Sequence, residues 1–550
     1  MGLCRLYEKE CFIIKRYRDL LHEEFKHYSK EKLQKDLLAG LTVAAVALPL
    51  ALAFGVSSGA DAAAGLITAI IAGVVIGSLS GGFYQISGPT GAMAAILVGI
   101  IATHGLAGVL VTTFIAGTLL LLAGLFKLGS LTSFIPSPVI TGFTSGIAII
   151  IALGQIDNFF GTTSNGENAL AKLLSYQTGF QPHLPTLVLG LIVLLGLIFY
   201  PKKWNQVLPA SLVAIILATL ASIIFKLPVM KVGKIPTSLL TSERLHLSAL
   251  NLASIKQLFL PAISIAMLGM IESLLCGASA GRMTGKDLDS NQELIAQGIG
   301  NMILPFFGGI PATAAIARTS VAIKSGAQTR LAGIFHALFL LLSMIIFAPI
   351  MSQIPMAALA SVLLITSWRM HEWDTIRTMI QQKNRTAILL FFVTMLSTII
   401  FDLSIAIVIG IICSCIFFIA KSAKISIITE DIDWQRMNLP HSAAGSGWSV
   451  IYITGPLFFM SANQLKKELD QVVDKEGLIF SLRGVPSIDL TALDTFADYF
   501  SVARLTKQEL VFTSMQPEVE KQFQQLWEKQ NDCPIQHPTV AHALHALHQK

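Results

Sequence analysis

Charged side chains are scarce. Asp, Glu, Lys and Arg make up 13% of the 550 residues, about half the share of a soluble domain. With 53% hydrophobic residues and a mean hydropathy of +0.67, that deficit excludes an ordinary soluble enzyme and points to a chain that crosses a membrane many times. Basic patches with interleaved aromatics are absent, so the net charge of +6 reflects membrane topology and not a nucleic-acid partner. Cysteines are few. Cys4, Cys11, Cys276, Cys413, Cys415 and Cys533 have neither metal-ligand spacing nor a disulfide framework, and Cys413 and Cys415 fall in an apolar run that faces lipid or core. There is no Gly-rich phosphate loop and no nucleophile–base constellation, so no catalysis, cofactor or metal is expected. No signal peptide is expected either, because the first apolar run follows 36 residues rich in charge.

What is abundant is long apolar sequence. Residues 1–36 carry nine Lys and Arg and a partial helical pattern (Phe12, Ile13, Leu20, Leu21, Phe25). They read as a cytoplasmic segment, solvated or lying along the membrane surface. Fourteen apolar segments follow, at 37–56, 61–79, 86–103, 106–128, 137–156, 184–200, 206–225, 259–281, 291–307, 311–324, 330–350, 355–369, 385–402 and 404–420. The segments 61–79 and 291–307 are interrupted by glycine or carry polar residues. If the start is inside, loops after even-numbered segments should be basic. Most are, through Lys127, Lys202, Lys203, Arg282, Lys286, Lys324, Arg330, Arg369, Arg377, Lys383 and Arg385. Odd-numbered loops lack Lys and Arg apart from Lys172 and the long 226–258 connection. The pattern predicts a multi-pass protein of the cell inner (plasma) membrane with both termini cytoplasmic. Fourteen spans divide into seven plus seven, an odd number per half, so the halves have inverted topology.

Two segments are broken, and they occupy equivalent places in the two halves. In 305–326, PFFGGIPATAAIARTSVAIKSG, a helix can restart at Pro311, since proline suits a first helical turn. Only about fourteen residues then precede Ser325-Gly326, too few for a bilayer that needs ~20. A similar break lies at 85–100, QISGPTGAMAAILVGI. Half-helices that begin inside a membrane present free N–H groups and about +0.5 charge to an anion. Paired interruptions of this kind point to a transporter's binding site.

Candidate site residues gather at these breaks. Pro89, Thr90 and Gly91 open the first half-helix, where a hydroxyl and bare N–H groups suit oxyanion oxygens; a Gly/Pro kink is the plain alternative. Ala312, Thr313 and Ala314 open the second. Arg318, seven residues beyond Pro311 and on the same face, supplies fixed positive charge, or else snorkels near a helix end. Glu272 lies mid-segment in LGMIESLLCG. A mid-membrane carboxylate is costly and is read as functional, here as the proton-coupling group, with a cross-helix structural pair as the alternative. A Glu272–Arg318 pair, released when Glu272 takes a proton, is a third arrangement. His336, Asp402 and the histidines at 537–548 read as structural or solvent-facing.

After Lys424 the composition changes. Strand-like 447–455, 478–482 and 509–513 alternate with helical 490–504 and 517–529, which predicts a small α/β domain. The organisation expected is a cytoplasmic segment 1–36, a transmembrane domain 37–424 and a C-terminal domain 447–550.

At GLTVAAVALPLALAFG, QISGPTGAMAA, GMIESLLCG and GGIPATAAIARTSV the sequence resembles the sulfate permease (SulP) family of anion transporters, over nearly the whole chain. ESLLC and GGIPATAAIAR look most like the bacterial branch that includes a C4-dicarboxylate transporter. The resemblance implies a core domain (segments 1–4 and 8–11) moving against a gate domain (5–7 and 12–14), usually in a homodimer. It implies an anion between Pro89–Gly91 and Pro311–Ala314, and a STAS domain as the tail, open to a cytoplasmic protein partner. In sodium-coupled bicarbonate carriers of the family an aspartate and a threonine four residues on help bind the ion. Glu272 and Cys276 stand there in this chain, which argues for protons over sodium. In STAS domains of sigma-factor regulation a D-S-S-G-L signature carries a phosphorylated serine; IDLTAL (488–493) has Leu490 and Ala492 at that signature and keeps the Thr491 hydroxyl.

The reading is therefore a proton-coupled secondary transporter of small inorganic or organic anions (sulfate, bicarbonate or C4-dicarboxylate). A sodium-dependent bicarbonate or sulfate carrier is the nearest alternative, and a membrane-anchored STAS signalling scaffold is one of another class. A mere anchor has no use for half-helices with Glu272 and Arg318, and a nucleobase carrier fits neither Arg318 nor the tail.

Overall fold

The computed structural model describes residues 15, 17–130, 135–164, 173–177, 180–201, 203–204, 208–401, 403–432, 447–530 and 535–549. Cys4, Cys11, Phe12, Ile13, Lys172, Lys202, Asp402 and Cys533, used above, lie outside them. The chain divides into two compact units, ending and beginning at Ile411 and Ile412.

The first unit is helical. Helices run over Lys30–Ser57, Ala62–Leu79, Gly91–Leu125, Ser137–Gly154, Leu184–Phe199, Ala210–Ile224, Leu252–Thr284, Ser290–Ile303, Ile316–Lys324, Leu331–Met351, Met356–Met370, Arg385–Ile400 and Leu403–Ser422. Seven described helices are long and apolar enough to cross a membrane. Gly91–Leu125 accounts for two of the fourteen sequence segments. Gly105 (φ 66, ψ −176) interrupts it with a backbone that side chains avoid, so the stretch before it is a half-span. Every one of the fourteen apolar segments thus has a helix or half-helix.

Small residues let the helices approach backbone to backbone. A Cβ on Gly117 would fall 2.6 Å from Met302 N, and one on Gly298 would fall 2.5 Å from Leu121 N. Gly91–Leu125 and Ser290–Ile303 are locked together there. Likewise, a Cβ on Gly65 would fall 2.0 Å from Ala51 O, which fixes Ala62–Leu79 on Lys30–Ser57. Outward-facing side chains such as Leu184, Phe199, Ile224 and Ile346 stay exposed, as a lipid-facing surface requires.

The second half-helix begins later than Pro311 suggests. It runs over Ile316–Lys324 with Ala315 at its N-cap; Pro311 and Ala312 are outside any helix, and Thr313–Ala314 is a short strand. Strand β1 (Ser87–Gly88) pairs antiparallel with β2 (Thr313–Ala314), Ser87 opposite Ala314 and Gly88 opposite Thr313. Tertiary partners therefore take the backbone groups that a helix would have used. For the same reason the first half-helix starts at Gly91 and not at residue 86. Segment 291–307 is helical to Ile303 and closes with a 3₁₀ turn, Leu304–Phe307.

The second unit holds a five-stranded sheet in the order β3 (Ser426–Asp431), β4 (Trp448–Thr454), β5 (Gly477–Gly484), β6 (Glu509–Thr513), β7 (Ile535–His537). β3 pairs antiparallel with β4, and the rest are parallel. Helices Phe459–Asp470, Leu490–Thr506, Pro517–Gln530 and Val540–His548 connect and cover it. Its core is aromatic, with Phe480 stacked on Phe512 at 5.0 Å. The strands and helices read at 447–455, 478–482, 490–504, 509–513 and 517–529 are all present; β3, β7 and the helices Phe459–Asp470 and Val540–His548 carry no such reading.

Candidate functional site

The site is the crossing of the two broken segments. Each short strand leads into a half-helix, and because the strands are antiparallel the two helix starts approach from opposite directions. Thr90 caps the first, its hydroxyl accepting from Met93 N at 3.4 Å. The second has no side-chain cap. The N–H groups of Gly91, Ala92, Ile316, Ala317 and Arg318 have no partner among the described residues.

Glu272 joins the two starts. Its Oε2 accepts from the hydroxyls of Thr313 (2.6 Å) and Thr90 (2.9 Å), and Thr313 also reaches Thr90 at 3.3 Å. One carboxylate oxygen thus gathers a hydroxyl from each half of the chain. The next residue, Ser273, accepts Ala314 N at its hydroxyl (3.2 Å) and Gln85 Nε2 at its carbonyl (2.7 Å).

Arg318 lies in the first turn of its helix. Its Nη2 donates to Pro89 O at 2.6 Å, so the guanidinium reaches from one half-helix to the start of the other. Nη1 is buried without a partner, and the residue is 1% exposed. Gly88 makes room for it, because a Cβ there would fall 2.6 Å from Nη1. Arg318 and Glu272 are not paired; each has its own partners across the crossing.

Pro89, Thr90, Gly91, Thr313, Ala314, Arg318 and Glu272 therefore meet at one place. Ala312 is adjacent, and both its backbone groups are taken by the Asn301 side chain, at 2.8 Å to its N and 2.9 Å from its O. Cys276 is buried one turn from Glu272 and donates to Thr319 Oγ1 at 3.2 Å; the same hydroxyl accepts Ile86 N. Asn301, Gln297, Ser273 and Thr319 brace the crossing. A signal for the first two exists in the sequence: Glu293, Gln297 and Asn301 recur every four residues, one face of a helix. Ser273 and Thr319 have no such signal.

His336 is fully buried and the last histidines lie at or near the surface. Thr491 is exposed in the first turn of Leu490–Thr506. No group of residues suited to a metal occurs among the described residues.

Residues 33–394 match the Sulfate permease family, and residues 443–530 match the STAS domain. The chain belongs to the sulfate permease family. It is 36% identical over 481 residues to YvdB of Bacillus subtilis (strain 168), which carries a sulfate transporter's name; the match covers 85% of this chain and 89% of that one. It is 30% identical over 482 residues to the bicarbonate transporter BicA of Picosynechococcus sp. (strain ATCC 27264 / PCC 7002 / PR-6), covering 84% and 85%. The solved transmembrane domain of a cyanobacterial BicA superposes with a TM-score of 0.63 at 29% identity, over 70% of this chain and 98% of that one. Murine Slc26a9, an anion transporter, shares the fold with a TM-score of 0.84 at 17% identity, over 96% and 94%. As a sulfate permease, the protein is a multi-pass membrane anion transporter with a STAS domain, and not an enzyme.

Proposed function

We propose that this sulfate permease is a proton-coupled secondary transporter of small anions, with Glu272 as the coupling group and sulfate, bicarbonate and C4-dicarboxylates as the substrate class. The observation that carries the reading is the single Glu272 oxygen holding the hydroxyls of both Thr90 and Thr313. Ionised, Glu272 repels an anion and ties up both hydroxyls. Protonated, it is neutral and no longer demands two donors, so the hydroxyls can turn to the anion's oxygens. Arg318 adds a full charge to the partial charges of the helix starts, in a site where the dielectric is low. Its Nη1 and the free N–H groups of Gly91, Ala92 and Ile316–Arg318 are the remaining donors. Proton and anion then enter together, which is symport.

Alternating access follows if the core (segments 1–4 and 8–11) moves against the gate (5–7 and 12–14) while the crossing stays intact. The same reading has residues 1–36 and both termini in the cytoplasm, 37–424 as transporter and 447–550 as the STAS domain. It also has a homodimer and a cytoplasmic protein as the STAS partner. A sodium-dependent bicarbonate or sulfate carrier is the alternative; against it, the thiol at Cys276 is spent on Thr319 and offers no hydroxyl.

The test is uptake into proteoliposomes with sulfate, bicarbonate, chloride, succinate, fumarate and aspartate, pH and sodium gradients being varied separately. Wild type should follow the pH gradient and ignore sodium. Glu272→Gln should fold and bind anion but lose the response to pH. Gradient-driven uptake in that variant would make Glu272 structural.

A further inference from the structure

A second carboxylate is buried beside the crossing. Glu293, on Ser290–Ile303, has no exposed surface. Its Oε2 accepts from Ser80 Oγ (2.6 Å) and Gly81 N (3.1 Å), and its Oε1 accepts from Gln297 Nε2 (2.8 Å). All three donors are neutral. Among the described residues, Arg330 and Cys276 act on it electrostatically, and Leu252–Thr284, the helix of Cys276, also carries Lys256, Glu272 and Arg282. The Arg330 guanidinium gives Nε to Glu24 at 2.6 Å and Nη1 to the carbonyls of Ser78 and Ser80; its Nη2 is buried without a partner, and it forms no ion pair with Glu293. Cys276 is neutral and bonded to Thr319. Ala62–Leu79 carries no titratable side chain, and Gly91–Leu125 has only His104, which is engaged with Gln257 at the helix's far end. On its own helix the other ionisable group is Asp289, at the cap. A carboxyl that has lost its water and gained no cation is placed to hold a proton.

A chain of hydrogen bonds leads from Glu293 to the anion site. The Ser80 hydroxyl has two acceptors in reach, Glu293 Oε2 at 2.6 Å and Gln85 Oε1 at 3.5 Å. Gln85 Nε2 donates to Ser273 O at 2.7 Å, and Ser273 is the neighbour of Glu272 and the acceptor of Ala314 N. On the other side Gln297 Nε2 reaches Ser87 Oγ at 3.0 Å, on the strand paired with Ala314. A small cleft lined by Gly82, Tyr84, Gln85, Gly277 and Ala280, and also by Lys286 and Asp287, lies beside Gln85.

We propose that Glu293 is a second proton-binding site of the transporter, coupled to the anion site through Ser80, Gln85 and Ser273. When Oε2 takes a proton from solvent, the new O–H donates to Ser80 Oγ. Ser80 then turns its own hydrogen to Gln85 Oε1, and the shortened Ser80–Gln85 contact pulls on the Gln85–Ser273 bond. Gly81 N and Gln297 Nε2 keep their acceptors, so no bond is orphaned. Glu293 is a positioning residue: it touches no substrate and sets the crossing through its neighbours. The proposal rests on proton coupling only for its part in transport; the protonation itself is independent of that reading.

The test separates the two. Infrared titration of purified Glu272→Gln protein from alkaline to acid pH should show a carboxyl C=O band that grows on acidification. The band should be smaller by one carboxyl in the Glu272→Gln/Glu293→Gln double variant. Identical titrations in the two would overturn the proposal, whatever Glu272 does. In proteoliposomes with pH set separately on each side, wild-type uptake should change by up to about tenfold per pH unit on the side of the Gln85 cleft. Glu293→Gln should be flat on that side, and Ser80→Ala should show the same loss with Glu293 intact. A wild-type pH profile in both variants would make Glu293 only an acceptor for the Ser80–Gly81 turn.

Discussion

Arg318 sits where charge and geometry coincide. Because its helix begins at Ile316, the side chain does not reach back two turns; it spans the crossing directly from the first turn to Pro89 O. Arg318→Ala removes a hydrogen bond to a charged donor, worth about 1.5–3 kcal/mol, and should raise the apparent substrate constant by about tenfold to a hundredfold. Arg318→Lys restores charge but not the fork, so it should rescue monovalent anions better than sulfate or dicarboxylates. Gly88→Ala should reproduce the loss without touching Arg318, since its Cβ needs the space of Nη1. Uptake kinetics of reconstituted variants check all three; wild-type values for Gly88→Ala would show that the guanidinium position is not required. At this scale much is legible in the sequence. Glu272 and Arg318 stand out because ionisable groups are expensive in apolar runs, whereas Ser273 and Thr319 are small polar residues that any membrane helix tolerates. Glu293 belongs to neither group: charge at the start of a helix looks like a capping residue until its burial is seen.

The elements are legible where they are long. Period, length and loop charge locate the fourteen apolar helices and half-helices but not the amphipathic Phe459–Asp470 and Val540–His548, and nothing in Ser87–Gly88 or Thr313–Ala314 marks a strand, because two residues have no period. Pro311 and the alanines after it favour a helix start, and tertiary partners override them. Asn301 is the chief of these, since its amide replaces a neighbouring strand for Ala312. Asn301→Ala should leave both Ala312 backbone groups buried and unpaired, at about 1–3 kcal/mol for each. A lowered midpoint of thermal unfolding, together with weaker anion protection against it, is the expected result. An unchanged midpoint would mean that Pro311–Ala314 relaxes into helix when released.

For the whole molecule, every site residue precedes Lys324, so the anion site should survive loss of the second unit. Where the chain is cut matters. Removing 447–550 strips β4 from β3 and leaves Ser426–Asp431, with Ile425, Ile427 and Ile428, as a strand without its partner. That truncation should aggregate on size-exclusion chromatography, whereas one that ends before Ile425 should stay monodisperse and bind anion. If the shorter protein is well behaved but does not bind, the second unit contributes to the site. The antiparallel crossing also bears on how the chain is made. Arg318 and Pro89 are 229 residues apart in sequence. At about 5–20 residues per second, the ribosome delivers the arginine roughly ten to fifty seconds after the carbonyl it will bind. During that interval the nascent first half carries an open helix end into the membrane, where each bare N–H costs several kcal/mol. Gly91 is packed under Phe54 and Ile151, both already synthesised. The first half therefore brings its own cover, and the second half only adds to it.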